Sequence, residues 1–450
     1  MTPLDDLRSR VTGTVLSPTD PGFTEAVTGF NLSATYAPDA AITVATEADV
    51  VEAVRYALDN DLRVSVQATG HGASGHIDGG LLIITSNLND VSIDDDIATI
   101  GAGAQWAAVV EKAGPLGLTA INGSAPGVGA VGFLLGGGLG PLARSHGFGS
   151  DRVRSFRVVT GTGELVTASA TDHPDLFWAL RGGKAGFGVV TSVDVELVPL
   201  TEIYGGSLFF AEGDIEAALR GWIEWTHTAH PQVSTSLAIL RFPPLDVIPE
   251  PLRGKTLLNL RFAYPGANDD GERLAAPLRA LAPVMMDLVG AMPTTKMGMI
   301  HNDPTQPSPS WVIGGMLTHA DDGLVGAVLA EVGAGVRSPF VALELRHLGN
   351  RTEVDVDGGS AVGGRDAAFA LSVVAIPNHQ LDVPAIEAAW QRLLAGIGPW
   401  KAPVTTINFA GEPSASEFAK SWPRDMFERL QEIASVYDPE GRFTWNRNAG

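Results

Sequence analysis

The stretch Asn122-Gly-Ser-Ala-Pro-Gly-Val-Gly-Ala-Val-Gly-Phe-Leu-Leu-Gly-Gly-Gly-Leu-Gly140 places eight glycines in nineteen residues. A run so short of side chains cannot fill a core alone. It suits a backbone that lies close against a flat partner, because glycine has no Cβ to hold that partner away. Residues 128–135 carry the apolar members of the run and predict a short helix packed on such a partner. The whole chain has 53 glycines in 450 residues, above a usual share of about 7%. They follow no repeat period, so neither a collagen nor a flexible linker fits. Tight turns and close approach to a ligand do.

A second glycine turn lies upstream, in Val64-Ser-Val-Gln-Ala-Thr-Gly-His-Gly-Ala-Ser-Gly-His76. It starts as a strand and breaks at Ala68 and Thr69 into small residues, with His71 between Gly70 and Gly72. Successive amide N–H groups in such a turn form an anion-binding concavity suited to a pyrophosphate. A neutral imidazole is a nucleophile, so a histidine inside that cradle points to a cofactor that is held and also bonded. The alternative is a turn histidine making ordinary hydrogen bonds, and Gly-His-Gly by itself does not separate the two. His76 reads as structural.

Charge and composition narrow the classes. The formal net charge is −21, with 45% hydrophobic and 18% charged residues. That balance disfavours nucleic acid and anionic membrane as partners, since both require a basic footprint. The absence of cysteine excludes disulfides, thiolate metal sites and thiol nucleophiles. The N-terminus has no apolar core of the signal-peptide type, and no run of about 18 apolar residues predicts a membrane span. The expectation is a soluble cytoplasmic protein of two or three domains.

In chain order, a short strand at 41–44 leads to Thr46-x-x-Asp49, a capping box. Val50, Val51, Val54, Ala57 and Leu58 follow at helical spacing, and residues 62–67 form the strand that delivers the His71 turn. Strands at 81–85 and 97–101 and a helix at 106–112 precede the glycine run. Gly161-Thr-Gly163 predicts a hairpin between 156–160 and 164–168. Asp175-Leu-Phe-Trp-Ala-Leu-Arg181 reads as a short helix, and Gly182-Gly-Lys-Ala-Gly-Phe-Gly188 turns into a strand at 189–197. Beyond Pro199 the texture changes. Helices at 215–226, 271–281, 323–332 and 383–394 mix with strands at 234–241, 256–264, 311–318, 341–348, 369–376 and 404–409. That mixture predicts an α+β unit on a largely antiparallel sheet. A helix at 427–436 closes the chain and is expected to pack back on the first part. A Rossmann nucleotide fold is weak here, because no Gly-x-Gly-x-x-Gly opens a helix directly after a strand with an acidic residue about 20 further on.

Assembled, these pieces resemble the FAD-linked oxidases of the vanillyl-alcohol-oxidase superfamily, in the berberine-bridge-enzyme-like branch with its PCMH-type FAD-binding domain. The resemblance runs from Tyr36 to Asn448. It rests on the Gly-His turn, Val128-Gly-x-x-Gly132 with Gly136-Gly-Gly-x-Gly140, Asp175-Leu-Phe-Trp-Ala-Leu-Arg-Gly-Gly183, Phe187-Gly-Val-Val-Thr191, and Tyr437-Asp-Pro439 with Asn446-x-Asn448. It implies an FAD-binding domain in two parts, residues 1–200 and 405–450, with an α+β substrate-binding domain inserted at 201–404. It implies that His71 is bonded to the 8α-methyl carbon of the flavin. Many members add a bond from cysteine; the matching place here is Ala125, so at most one covalent link is implied. Gln67 stands where relatives carry arginine, and Gly186 where they carry asparagine. The resemblance assigns the remaining flavin contacts to Ala68, Thr69, Gly70, Gly72, Gly123, Gly129, Gly132, Phe133, Gly138, Gly188, Val190, Asn446 and Asn448. Val128 matches the place beside flavin C4a, where a small aliphatic leaves room for dioxygen.

For proton transfer, alternation puts Glu344 and Arg346 on one strand face and His347 on the other. A Glu–Arg pair facing a cleft could take a proton as hydride leaves; a sheet-surface ion pair is the competing reading. Asn408 and Asn446 are candidates to orient substrate or flavin, and Tyr204 and Tyr264 are alternative phenolate bases. His227-x-x-His230 has metal-like spacing but no third ligand, so no metal is expected. The expected activity is an FAD-dependent oxidase of secondary metabolism. Hydride passes from an alcohol or amine C–H to flavin N5, and dioxygen reoxidises the flavin to give hydrogen peroxide. A flavin dehydrogenase with another acceptor and a non-catalytic flavin-fold binder are the alternatives.

Overall fold

The computed structural model describes residues 3–73, 75–378, 381–411 and 415–443. The first layer is set by a helix start. Thr46 Oγ1 accepts the Asp49 N–H at 3.2 Å, and the Asp49 carboxylate accepts the Thr46 N–H at 3.2 Å. The helix Glu47–Asp59 follows. The same carboxylate also accepts the N–H groups of Thr12, Gly13 and Ala45, tying the N-terminal segment to the cap. Buried Val50, Ala53, Val54 and Ala57 recur at the spacing of one helical face. With Ile42, Val64, Leu81 and Ile83 they form one core. In that sheet Leu81–Ile84 lies between Ala40–Thr43 and Val64–Gln67, parallel to both. Thr14–Leu16 adds an antiparallel edge. The turn bearing His71 therefore leaves the carboxyl end of a parallel strand, where α/β units place ligand loops.

A five-stranded antiparallel sheet comes next, in the order Leu165–Ser169, Val153–Thr160, Gly188–Glu196, Ile97–Gly101, Val91–Asp94. The hairpin at Gly161-Thr-Gly163 forms as expected. The helix Ala130–Leu135 packs on this sheet through buried Ala130, Val131 and Leu134.

Residues 202–375 build an eight-stranded antiparallel sheet. Its central strands are Thr256–Tyr264, Ser234–Arg241, Phe340–His347 and Phe369–Ala375. The period-2 pattern sorts its faces. Leu237, Leu260, Leu343, Leu345, Leu371 and Val373 turn to one side, where the helices Ile215–Thr226, Asp322–Val332 and Val383–Ile397 cover them. Ser236, Asn259, Arg261, Glu344 and Arg346 occupy the alternate positions. They are buried or largely so despite their polarity.

The expected strand at 404–409 is a correction: those residues hold only the 3₁₀ turn Ile407–Phe409. β-branched propensity is overridden by a tertiary contact. Asn408 turns inward to bond Lys184 Nζ at 2.7 Å and the Phe133 carbonyl at 3.0 Å.

The closing helix, Arg424–Tyr437, returns to the N-terminal part. Tyr437 Oη donates to Asp175 at 2.9 Å, the Tyr437 carbonyl accepts Gly161 N–H at 2.7 Å, and Val64 N–H donates to the Arg442 carbonyl at 2.8 Å. Among the described residues no helix is long and apolar enough to cross a membrane.

Candidate active site

Where these layers meet, a cavity of about 580 Å³ opens, within the range of small-molecule and cofactor sites. Of the residues expected to meet a flavin, Gln67, Ala68, Thr69, Gly70, His71, Gly72, Gly123, Ala125, Val128, Gly129, Gly132, Phe133, Gly188 and Val190 all line it. The two glycine motifs, some 50 residues apart in sequence, thus form facing walls. Gly129 N–H donates to Thr69 Oγ1 at 3.3 Å across them. A Cβ built on Gly127 would stand 3.6 Å from His71 Cε1, whereas one on Gly72 or Gly132 would meet open space. Gly70 has φ +74°, and a Cβ there would sit 2.7 Å from Gly29 Cα, so this turn position requires glycine.

His71 stacks on Phe30 at 3.7 Å between ring centroids, 12° from parallel. Its Nδ1 is 2.9 Å from Thr69 Oγ1. Burial pushes the imidazole down to about 4, against an opposing pull from the Asp303 carboxylate. At neutral pH the ring is uncharged, the form a nucleophile requires.

Gln67 is buried. Its Nε2 donates to the Val27 carbonyl at 3.3 Å, and its Oε1 has no partner. Gly138, also expected to meet the flavin, does not line the cavity. A Cβ there would stand 2.4 Å from Phe133 Cε1, so this glycine makes room for the Phe133 ring. Asn446 and Asn448 lie outside the described residues.

Two further contacts were not anticipated. Lys184 lines the cavity from within Gly182-Gly-Lys-Ala-Gly-Phe-Gly188. Its Nζ donates to the Gly132 carbonyl at 2.9 Å and to Asn408 Oδ1 at 2.7 Å. Burial lowers it to about 8. A lone lysine in a glycine loop was the available signal in the sequence; in the structure its φ is +70°. Asp303 reaches Ser124, whose Oγ donates to its Oδ2 at 2.6 Å; nothing in the sequence pattern marks that pairing.

Arg346 and Asn408 line the cavity, but Glu344 does not. Glu344 Oε1 accepts from Arg261 Nη1 at 2.6 Å, and Oε2 lies 2.9 Å from Arg346 Nη2. Burial alone would raise this carboxyl. The guanidiniums of Arg346 and Arg261 override that and hold it well below the usual range. A carboxylate so held is a poor proton acceptor. In this arrangement Glu344 anchors Arg346, which also lies over the Phe409 ring at 5.4 Å. Asn408 has both ends of its amide engaged, so it positions Lys184 and the helix Ala130–Leu135. Tyr204 and Tyr264 do not line the cavity. Tyr204 bonds Glu272 and Arg279, and Tyr264 meets His230 edge-on.

The FAD binding domain family matches residues 38–169. Over its full length the chain is similar to (R)-6-hydroxynicotine oxidase of Paenarthrobacter nicotinovorans, 27% identical over 97% of this chain and 96% of that one. Its fold matches the crystal structure of 6-hydroxy-D-nicotine oxidase from Arthrobacter nicotinovorans, with a TM-score of 0.83 over 98% of each chain at 24% identity. It also matches the berberine-bridge-enzyme-like protein 1 of Physcomitrella patens, with a TM-score of 0.79 over 98% of this chain and 97% of that one at 18% identity. Fold, cavity and relatives together define an FAD-linked oxidoreductase whose N-terminal part carries the FAD binding domain. The chain is similar over its length to a 6-hydroxynicotine oxidase, and its fold is like that of the berberine-bridge-enzyme-like proteins.

Proposed function

We propose that the 580 Å³ cavity holds FAD bonded once, through His71, and that the protein oxidises a small-molecule alcohol or amine at the expense of dioxygen. One observation carries this reading: an uncharged His71, the glycine wall 123–132 and Arg346 of the large sheet all line one cavity. The residues fit the group. Gly72 and Gly132 front open space, as close backbone approach to a flat ring requires. Ala125 offers no second attachment point. Bound FAD supplies the two-electron chemistry: hydride acceptance from the substrate C–H, then return of both electrons to dioxygen to give hydrogen peroxide. The chain supplies geometry. Phe30 holds the His71 ring plane, Lys184 brings a buried N–H donor to the cavity wall, and Val128 keeps its part of the wall small enough to admit dioxygen. Arg346, fixed by Glu344, is the polar group that the sheet side offers to a substrate. In this reading residues 1–200 and 405–450 bind the cofactor and 201–404 bind the substrate.

The test is the visible spectrum of purified protein, followed by acid precipitation and flavin fluorescence of the washed pellet. Yellow protein with flavin retained in the pellet is expected. His71→Ala should stay yellow when reconstituted but release its flavin to the acid supernatant. A wild-type pellet without flavin would remove the bond. Colourless protein that cannot be reconstituted would sink the whole reading. Slow reoxidation in air after substrate reduction would turn the oxidase into a dehydrogenase.

A further inference from the structure

Behind Arg346 lies a second cavity, of about 30 Å³. Its sheet wall includes a row of three polar residues. Arg261 pairs with Ser236, and Ser236 with Arg346, on adjacent strands, so alternation turns all three to one face. His301 and the end of the glycine run, Leu139 to Pro141, close the other sides.

This small space is short of acceptors. Arg261 and Arg346 share the single Glu344 carboxylate at 2.6 and 2.9 Å, which leaves two fixed cations on one anion. The Nε atoms of both arginines, Ser236 Oγ and the His301 ring nitrogens, one of them a donor in either neutral tautomer, are buried without a hydrogen-bond partner, with His301 Nε2 3.4 Å from Glu344 Oε1. The Arg261 and His301 side chains are only 7% and 5% exposed. Buried donors without partners are rare, because each has given up its bonds to water. The void exceeds the roughly 10–15 Å³ that one water requires, so it can be filled. Water would satisfy the donors but not the surplus positive charge. A small anion satisfies both, and charge-assisted bonds to guanidinium are the stronger ones.

We propose that this cavity is a binding site for a small monovalent anion, either a free halide or the carboxylate of a molecule entering from the larger cavity. Arg346 and Leu139 line both spaces, so the larger one gives the route.

The test follows thermal unfolding of the purified protein, as isolated, at fixed ionic strength, with sodium gluconate replaced stepwise by sodium chloride or sodium formate. Gluconate is too bulky for the void and serves as the non-binding salt. Chloride, formate or both should raise the midpoint saturably by about 2–4 °C. A response to chloride and formate alike assigns a free monoanion; a response to formate alone assigns the carboxylate of a larger molecule. Ser236→Val fills the void and deletes a donor on a strand that accepts β-branched residues. It should unfold at a midpoint indifferent to the salt. Ala263→Val fills the same void from the next strand, if Ser236→Val fails to fold. Equal midpoints in all three salts would mean that water alone occupies the space and would overturn the proposal. An undiminished response in a folded filling variant would overturn it too. The readout involves no flavin turnover, so it stands or falls apart from the oxidase reading.

Discussion

Asn408 shows how a single side chain joins two distant parts of the chain. Its amide spans Lys184 and the Phe133 carbonyl, and it sits so close to Gly136 that a built Cβ would stand 2.0 Å from Oδ1. Gly136 itself has φ −100°, which any residue adopts. Glycine there is required by proximity alone. Gly136→Ala should therefore destabilise by about 1–3 kcal/mol, the usual cost of overpacking. In an Asn408→Ala background most of that cost should vanish, because the atoms it strikes are gone. Denaturation midpoints of the two single variants and the double variant check this. Additive losses would show that Gly136 answers to something other than Asn408.

At the scale of an element, the helix Glu47–Asp59 carries the sheet that presents His71. Its cap is unequal in its two halves. Thr46 supplies one acceptor, whereas the Asp49 carboxylate gathers N–H groups from Thr12, Gly13, Ala45 and Thr46. Thr46→Ala should cost about 1 kcal/mol, as for a lost N-cap. Asp49→Ala should cost more, about 2–4 kcal/mol, since it leaves four backbone donors without their acceptor and frees the N-terminal segment. Urea denaturation would reverse this account if the two losses proved equal. The strand at the other end of the site behaves differently. Phe340–His347 is held by neighbours on both sides, and its polar members are anchored both locally, Glu344 on Arg346, and from distant elements, Arg261 on Glu344 and Arg144 on His347.

Across the whole molecule, four buried or half-buried imidazoles among the described residues shape the response to acid. Burial lowers His71 and His146 to about 4 and His347 to about 3, and it lowers His301 as well. In the unfolded chain each titrates near 6.5. Between pH 6.5 and about 4 the unfolded state therefore binds more protons than the folded one, and stability must fall as pH falls through that window. Unfolding midpoints measured from pH 7.5 to 4.5 should decline steadily below 6.5. A flat profile would show that these rings protonate inside the fold. Glu344 adds to the loss only further down. Its folded pKa is depressed, so its contribution is present above the carboxylate range and disappears on the acid side of it.

What the sequence determined by itself was local chemistry. Gly70, Gly72 and the run at 122–140 announce close backbone approach, because no other residue permits it. The capping box at Thr46 and the 3.6- and 2-residue periods locate most helices and strands, because those signals are carried by neighbours in the chain. The resemblance of the motifs brought His71 and the flavin together in one reading. Pairing across distance, in contrast, arises only in the folded chain. Glu344 was legible as a charged residue next to Arg346, but not the arrival of Arg261 from another strand, which turns a candidate base into a clamped anion. Lys184 and Asn408, more than 200 residues apart, become one hydrogen-bonded pair only when the closing segment folds back, and that contact cancels the strand expected at 404–409. The anion-poor cavity behind Arg346 has the same origin: its donors come from three strands and a loop, and their imbalance of charge exists only once they are packed together.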